Sequence, residues 1–433
     1  MKRQLLIYRS RINTRPVLPY IPKRQDLRCG DRLLTIKGVK EVREGKHFFN
    51  RNLTLLLFIL LSTTQVHAQE LATFHVKIEK DMLDVPISIP LENINYNTDD
   101  KELVLYEITQ NGENIVQSQM ETGHTAKLWF LLTGSYGINN SRSFVLKAEN
   151  DEMTDAVAAT ISKNQEDLNL NMDGTPVLNY RYTTTLAPDG ANPLFSRSGY
   201  IHPLWSPEGE ILTRIQPPDH YHHYGIWGPW TKTHIGEREV DFWNLAKGQG
   251  TVKFVEFLSE SEGPVYSAFK VLQQHIDFGA KGEDQVAINE ILEIRFWKTN
   301  KNTWVIDYTT SINSPLAEGI MLDAYRYGGG LGFRATEKWH KNNCSVLTSE
   351  GKKREDADGT NARWCMVEGE TDTQTGRSGV LFLSHPANRM HPEPMRVWPF
   401  DANGGRGDMF FEFTPIRHHS WKIHPKQAYT LKY

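Results

Sequence analysis

Cysteine is scarce in this sequence, and no two cysteines are paired in a recognisable motif. Only three of the 433 residues are cysteines, and none stands in a C-x-x-C arrangement. A zinc ribbon and a thioredoxin-type redox site are therefore excluded. Cys344 and Cys365 allow two interpretations: a disulfide bridge formed in an oxidising compartment, or two buried free thiols.

Long hydrophobic runs are also missing. The one apolar run that approaches membrane length covers residues 53–61, and about nine residues cannot cross ~30 Å of hydrocarbon. Arg51 precedes this run and Val66-His67-Ala68 follows it, which predicts a secretory signal peptide cut before Gln69. We therefore expect residues 1–68 to be a leader, with an uncut signal anchor as the alternative. The first fifty residues do not fit such a signal, which indicates a later start codon.

The mature chain also lacks any excess of positive charge. Residues 1–68 carry 14 basic and 4 acidic side chains, so residues 69–433 have a net charge of −13. Such a chain offers no basic surface for nucleic acid, and it disfavours a long polyanionic substrate. We expect a periplasmic or secreted protein whose mature chain does not insert into a membrane. The motifs G-x-S-x-G and H-E-x-x-H and a dinucleotide fingerprint are absent too.

What the sequence does contain is strand pattern. Short apolar or alternating runs occur at 85–90, 103–108, 127–132 and 144–147, with spacings typical of a small β-sandwich. Pro86 and Pro90 place the first run at a sheet edge, because proline cannot donate a ladder hydrogen bond. A polar stretch over 150–167 follows. We expect a small acidic β-sandwich over residues 69–165.

The second part, residues 166–433, has longer strand-like runs. Hairpins are predicted around Asp173-Gly174 and around residues 206–209, the latter joining strands at 201–205 and 211–215. Four long runs at 251–258, 266–276, 286–297 and 303–312 are separated by tight turns, which is typical of an antiparallel meander. The fold class is therefore predicted as all-β, with a small N-terminal β-sandwich followed by a large antiparallel β-sandwich.

Three histidines within four positions form the most unusual segment. His220, His222 and His223 follow Asp219 directly, after two prolines that favour a loop. Neutral imidazoles can serve as general acid and base near pH 7. Their spacing also allows metal ligation, with Asp219 or a distant residue completing the site. A surface loop with ordinary hydrogen-bonded histidines is the alternative, which this clustering disfavours.

A second polar loop combines a base, an amide, a fixed cation and a flat apolar face. His385, Asn388, Arg396 and Trp398 lie in a stretch that three prolines punctuate, and these side-chain types suit a sugar that carries a carboxylate. We expect this loop to converge with the histidine loop, with His222 and His385 within ~15 Å of each other. A rigid proline loop with ordinary surface polarity is the alternative.

Two further segments add candidate binding groups. Residues 328–334 are glycine-rich but lack the P-loop pattern, so phosphate binding is disfavoured. Arg334, which ends this segment, could instead clamp a carboxylate. Asp241-Phe242-Trp243-Asn244 supplies a carboxylate, a stacking surface and an amide.

Together these motifs resemble the "methane oxygenase PmoA-like" family of secreted bacterial proteins. The resemblance covers roughly residues 170–430 and rests on His202-Pro203, Pro218-Asp219-His220-x-His222-His223-x-Gly225, Asp241-Phe242-Trp243-Asn244, Gly329-Gly330-Leu331-Gly332-Phe333-Arg334 and Ser384-His385-Pro386-x-Asn388. It implies a role in polysaccharide degradation, with sugar elimination or dehydration as the activity. Copper oxygenase chemistry is disfavoured, because the true methane monooxygenase subunit spans the membrane many times. Tyr221 and Tyr224 stand where the resemblance leads us to expect proline and arginine, and they offer a tyrosine as acid or base.

These features lead to one predicted function, a carbohydrate-active lyase that dehydrates uronic-acid-containing oligosaccharides. Elimination beside a carboxylate needs a base, an acid, and a cation or metal to hold the developing enolate. The expected catalytic residues are His220, His222, His223, Tyr224 and His385. The expected substrate-binding residues are Asp219, Trp243, Arg334, Asn388 and Arg396. Whether one divalent metal ion takes part is left open.

Two other classes of function remain as alternatives. A glycoside hydrolase needs two carboxylates ~5–10 Å apart, and the candidates are Asp219, Asp241, Glu290 and Asp323. A non-catalytic sugar-binding protein needs aromatic platforms but no titratable cluster. The bunching of the histidines counts against that second alternative.

Overall fold

The computed structural model describes residues 27–29, 32–34, 69–78, 81–92, 94, 102–136, 140–149, 159–279, 283–299 and 302–433. The signal peptide and the cleavage site expected before Gln69 lie outside these residues. The chain forms two compact units, Met1–Ala156 and Val157–Tyr433. The second unit thus begins before residue 166, because the strand at Ala159–Lys163 pairs with the next strand along the chain. No helix in the described part is long and apolar enough to cross a membrane.

Nine strands make up the described part of the first unit. They are β1 (Leu27–Cys29), β2 (Arg32–Leu34), β3 (Gln69–Lys77), β4 (Met82–Pro90), β5 (Glu102–Thr109), β6 (Gly112–Val116), β7 (Ser118–Glu121), β8 (Lys127–Tyr136) and β9 (Ser141–Glu149). Strands β1 and β2 pair with each other, and the others form sheets of order β3-β9-β5-β6 and β4-β8-β7. Phe74, Phe130 and Phe144 from both of these sheets share one buried core. This is the predicted small β-sandwich, and β4, which contains Pro86 and Pro90, is at a sheet edge as expected.

The second unit contains twenty-one described strands and one short helix. The strands are β10 (Ala159–Lys163), β11 (Asp167–Met172), β12 (Thr175–Arg181), β13 (Tyr200–Leu204), β14 (Ile226–Trp227), β15 (Thr233–Ile235), β16 (Arg238–Val240), β17 (Gly250–Ser261), β18 (Tyr266–Asp277), β19 (Gln285–Trp297), β20 (Val305–Asn313), β21 (Ile320–Leu322), β22 (Leu331–Arg334), β23 (Cys344–Thr348), β24 (Asn361–Ala362), β25 (Trp364–Glu370), β26 (Arg377–Leu383), β27 (Glu393–Val397), β28 (Phe410–Phe413), β29 (Trp421–Ile423) and β30 (Tyr429–Lys432). The helix α1 covers Ala402–Gly405, and 3-10 turns occupy Pro193–Phe195 and Leu245–Lys247.

These strands form four antiparallel sheets. The largest has the order β10-β11-β12-β13-β14-β22-β28-β27-β24, and the predicted meander appears as β17-β18-β19-β20, extended by β30. Two smaller sheets have the orders β16-β15-β21-β29 and β23-β25-β26. Buried apolar residues of the nine-, five- and three-stranded sheets belong to one core cluster. The all-β fold with a large antiparallel sandwich is therefore confirmed.

Strand register gives the nine-stranded sheet two different faces. Ile226, Phe333 and Phe411 are opposite one another across β14, β22 and β28 and join the core. The residues next to them in sequence point to the other face, since side chains alternate along a strand. That face carries Trp227, Arg334 and Phe410. It is the floor of the site described below.

Two local expectations are settled by strand pairing. Residues 211–215 do not form a regular hairpin strand; they make isolated bridges to Trp205, Ala335 and Tyr224. Cys344 and Cys365 are free and buried. The register places them opposite Gly369 and Thr348, at opposite ends of the β23–β25 ladder, so the structure has thiols and not the disulfide.

Candidate histidine site

The histidine loop folds back on itself through backbone hydrogen bonds. The amide of His220 donates to the carbonyl of Pro217 at 2.8 Å, and the amide of His223 donates to the carbonyl of His220 at 3.0 Å. Gly225 ends the loop at φ 64°, where an added Cβ would be 2.2 Å from the Ile201 carbonyl oxygen. Only glycine fits that position. The loop is thus held in one conformation directly before β14.

This shape brings the three imidazole rings together. Ring centroids are 5.4 Å apart for His220 and His222, 4.8 Å for His220 and His223, and 4.9 Å for His222 and His223. One ligand atom from each ring lies within 4.8 Å of the others, and this is the one such group of metal-binding side chains found among the described residues. The cluster expected from the sequence spacing is therefore present in space.

Aromatic side chains from distant segments surround the cluster. His223 is buried beneath the other two rings and contacts Trp227, Trp243, Trp398 and Phe410, with centroid distances of 5.1–5.5 Å. Trp243 also donates from Nε1 to the carbonyl of His222 at 2.8 Å, so its predicted place in the site is supported. His220 and His222 are half-buried. The site is thus closed on the sheet side and open on the side of these two rings.

Burial determines the protonation state of His222 and His223. Desolvation lowers the pKa of His222 to about 4 and holds the pKa of His223 well below its usual range. Both imidazoles are therefore neutral at pH 7, and each keeps a nitrogen lone pair. That lone pair can accept a proton or bind a metal ion.

Asp219 links the cluster to a buried ionic network. Its Oδ2 accepts hydrogen bonds from His220 Nδ1 at 2.7 Å, from Arg334 Nη2 at 2.9 Å and from Asn403 Nδ2 at 2.7 Å. Burial acts to raise the pKa of Asp219, but these donors hold it well below its usual range. The carboxylate is ionised, and its Oδ2 holds three donors, one of which is the ring of His220.

Arg334 does not have the carboxylate-clamping role that we predicted. Its side chain is 1% exposed and shared between Asp219 and Asp408, the latter at 3.4 Å. The guanidinium also lies over the ring of Trp398, 4.7 Å from its centroid. Its Nε and Nη1 are buried without a hydrogen-bond partner among the described residues. A substrate could reach Arg334 only by displacing Asp219, so the geometry indicates a structural cation.

Arg396 is also paired with a carboxylate, and it contacts Tyr327, a residue that the sequence analysis did not select. Arg396 contacts Asp358 at 2.9 Å and donates to the hydroxyl of Tyr327 at 3.0 Å. The same hydroxyl accepts from Trp398 Nε1 at 3.1 Å. Tyr327 packs against Trp243 at the half-buried rim of the site. Its signal in the sequence is weak, because nothing local marks it apart from neighbouring tyrosines and glycines.

The predicted role of Tyr224 as acid or base is wrong. Its side chain is fully buried, and its hydroxyl donates to the carbonyl of Phe195. Arg197 lies over the ring at 5.0 Å from the centroid. Burial raises the pKa of Tyr224 above its usual value. The alternation of side chains places this residue below the loop, away from the open side.

The second polar loop is bonded to the last strand of the chain and to Glu393. The backbone amide of His385 donates to the carbonyl of Lys432, and Asn388 bonds both to Lys432 and to Glu393 Oε2, the latter at 3.0 Å. Glu393 and Trp398 are separated by five residues along an extended segment, which corresponds to about 16 Å. The convergence of this loop with the histidine loop stays a prediction. Arg396 and Trp398, which follow the loop in sequence, reach the site through Tyr327 and the histidine rings.

The carboxylates considered for a hydrolase are engaged separately. Asp241 is buried and accepts the amides of Trp243 and Asn244, as a turn-forming aspartate does. Glu290 is buried between His275 and Thr310. Asp323 bonds to His234. Within the described structure these acids form no pair across an open site.

Sequence comparison adds a family but no activity. The comparison with curated proteins found no match. A family model described as "family of unknown function" matches residues 167–433, a region that includes every residue of the histidine site. The chain belongs to that family, DUF6807.

Proposed function

We propose that this protein is a periplasmic carbohydrate-active lyase, a dehydratase that eliminates water from uronic-acid-containing oligosaccharides. The observation that carries the proposal is the cluster of His220, His222 and His223, with one buried and two half-buried rings in an aromatic setting. Such a cluster of titratable groups exceeds what a purely structural loop needs. The substrate class follows from the family resemblance and from the expected export.

Elimination requires two proton movements. The bond between hydrogen and the carbon beside the carboxylate breaks, the proton passes to a base, and the electron pair is delocalised onto the carboxylate. This pair then forms the carbon–carbon double bond as the neighbouring carbon–oxygen bond breaks, and the oxygen leaves as water after accepting a proton. Negative charge accumulates on the substrate carboxylate in the transition state, so a positive group must lie close to it.

Tyr327 is the side chain best placed to exchange those protons. Its hydroxyl oxygen is fixed by the hydrogen bonds from Arg396 and Trp398, so its own proton is directed elsewhere. The indole of Trp398 contacts His220 and His223 at 4.8 and 5.5 Å between centroids. Tyr327 therefore replaces Tyr224 in the proposed mechanism.

The rim of the site also supports a sugar substrate. Tyr221, Tyr325 and Tyr327 are half-buried, so each has an apolar face beside a polar hydroxyl. Arg326 is exposed and lies over the ring of Tyr327 at 5.3 Å, which adds positive charge at the entrance. A glycoside hydrolase is less well supported, because the carboxylates it would need are occupied elsewhere.

The test is mass spectrometry of uronic-acid-containing oligosaccharides after incubation with the protein. A loss of about 18 Da supports dehydration, whereas a gain of the same mass means hydrolysis. Tyr327→Phe should reduce the rate by ~10²–10⁴-fold. Tyr182→Phe, at a half-buried tyrosine that packs against Phe254 and Phe257 outside the site, serves as the matched control. An unchanged rate in Tyr327→Phe would remove this residue from the mechanism. An unchanged product spectrum with every oligosaccharide would contradict the lyase proposal.

A further inference from the structure

The three histidines form an arrangement that a cation would complete. Their ligand atoms lie within 4.8 Å of one another. His223 is 1% exposed, and its Nδ1 has no hydrogen-bond partner in the described part of the structure. A buried polar atom without a partner calls for a physical explanation. We propose that His220, His222 and His223 together bind one divalent first-row transition metal ion of the zinc type.

Asp219 prepares one of these ligands. Its Oδ2 lies 2.7 Å from Nδ1 of His220, and an ionised carboxylate can only accept, so Nδ1 carries the proton. The lone pair of His220 is then on Nε2. A carboxylate that holds the distal nitrogen of a histidine is the usual support of a metal ligand. Arg334 and Asn403 fix the carboxylate in turn.

The ionic network that supports His220 is balanced in charge. Arg334 pairs with Asp219 and Asp408, and Arg406 pairs with Asp408. The two guanidinium groups and two carboxylates of this network carry no net charge, so the network itself does not repel an incoming dication. The imidazoles supply ligand atoms without adding charge.

The ligand set indicates the class of metal. Three imidazole nitrogens without thiolate suit zinc, copper, iron or nickel, whereas magnesium and calcium prefer oxygen. Three protein ligands with a further position open to solvent are typical of catalytic zinc sites. His220 and His222 are half-buried, so a further position on the ion could be reached from solvent.

A metal ion at this site would add to the proposed mechanism, and its catalytic role rests on the proposed function. Both arginines first considered for the substrate carboxylate are engaged with protein acids. A metal ion at the histidines would instead bind that carboxylate and stabilise the charge that develops on it. Its oxidation state does not change, because elimination moves only a proton and an electron pair within the substrate.

Metal binding is tested first without substrate. The full chain is treated with chelator, dialysed and titrated with zinc chloride by calorimetry, and bound zinc is counted by mass spectrometry. We expect one zinc ion per chain, affinity lowered by about 100-fold or more in His220→Ala and His222→Ala, and by ~10–100-fold in Asp219→Asn. The control is His234→Ala. His234 is on β15 and bonds to Asp323, and this variant should bind zinc like the unmodified chain.

Three results distinguish a failure of the metal site from a failure of the proposed lyase function. No zinc bound, or an affinity that His220→Ala and His222→Ala leave unchanged, overturns the site. Circular dichroism and melting of each variant show that loss of binding does not reflect unfolding, and zinc should raise the melting temperature of the unmodified chain but not of His222→Ala. Zinc bound without dehydration contradicts the function alone. Full dehydration by the chelated chain contradicts the catalytic role of the metal alone.

Discussion

Glu393 allows a quantitative prediction about stability and pH. The carboxyl is 0% exposed and accepts hydrogen bonds from Ser384, Asn388 and Tyr433. Burial raises the pKa of Glu393 from 4.5 to about 7, although these donors act in the opposite direction. The folded protein therefore holds this proton more tightly than the unfolded chain does.

The sign and size of the effect follow from that difference. A group whose pKa is higher in the folded state stabilises the protein fully below pH 4.5, and this contribution is lost as the pH rises through about 7. With 1.36 kcal/mol for each pKa unit, the loss between pH 4.5 and pH 8 is about 3 kcal/mol. Glu393→Gln keeps the shape and removes the ionisation. We expect the variant to gain about 3 kcal/mol relative to the unmodified protein on going from pH 4.5 to pH 8.

Urea unfolding at pH 4.5, 6, 7 and 8 measures this difference. Glu355→Gln, at an exposed position, should show no such pH dependence relative to the unmodified protein. His391 is present in both proteins and shares the Ser384 hydroxyl, so only its coupling to Glu393 remains in the comparison. An equal stability difference at pH 4.5 and pH 8 would refute the reasoning. If Glu393→Gln melted normally but lost turnover, the second polar loop would belong to the active site.

Two further predictions concern residues whose expected roles the structure changes. Arg334→Met should lower the free energy of unfolding by about 1.5–3 kcal/mol, because it removes the charged hydrogen bonds to Asp219 and Asp408 while both carboxylates keep other donors. Exposed Arg326→Met is the control, and a normally melting but inactive Arg334→Met would restore the clamping role. Tyr224→Phe should cost about 1 kcal/mol of stability through the lost hydrogen bond while leaving turnover unchanged, and an enzyme assay showing a large loss of rate would contradict the structural role.

The large strands of this fold could be predicted from sequence, whereas the short ones could not. The meander β17–β20 has long alternating runs joined by tight turns, so its pairing is written locally. Strand β14 has two residues and pairs with β22 about a hundred positions later. Nothing near Ile226 announces that partner. The prediction of a regular strand at 211–215 was wrong for the same reason, because its bridges reach several separate segments.

The same division holds for the site. The three histidines and Asp219 could be found because they are neighbours in the chain, and Trp243 because it stands in a mixed polar and aromatic motif. Phe410 and Tyr327 were missed because the sheet register, not local sequence, brings them there. The role of Arg334 depends on burial and on Asp408, and neither can be read from a motif. Residue type alone does not distinguish a substrate clamp from a structural ion pair.

The order of strands in the nine-stranded sheet has a consequence for how the chain folds. Strand β22 lies between β14 and β28, so the floor beneath His223 needs segments near residues 227, 334 and 410 at once. During synthesis the histidine loop emerges long before Phe410 does. Such distant pairings fold slowly, since the intervening chain must be closed into loops first. The second unit therefore stays incomplete until nearly the whole chain has emerged, whereas the first can form its sandwich from its own residues early.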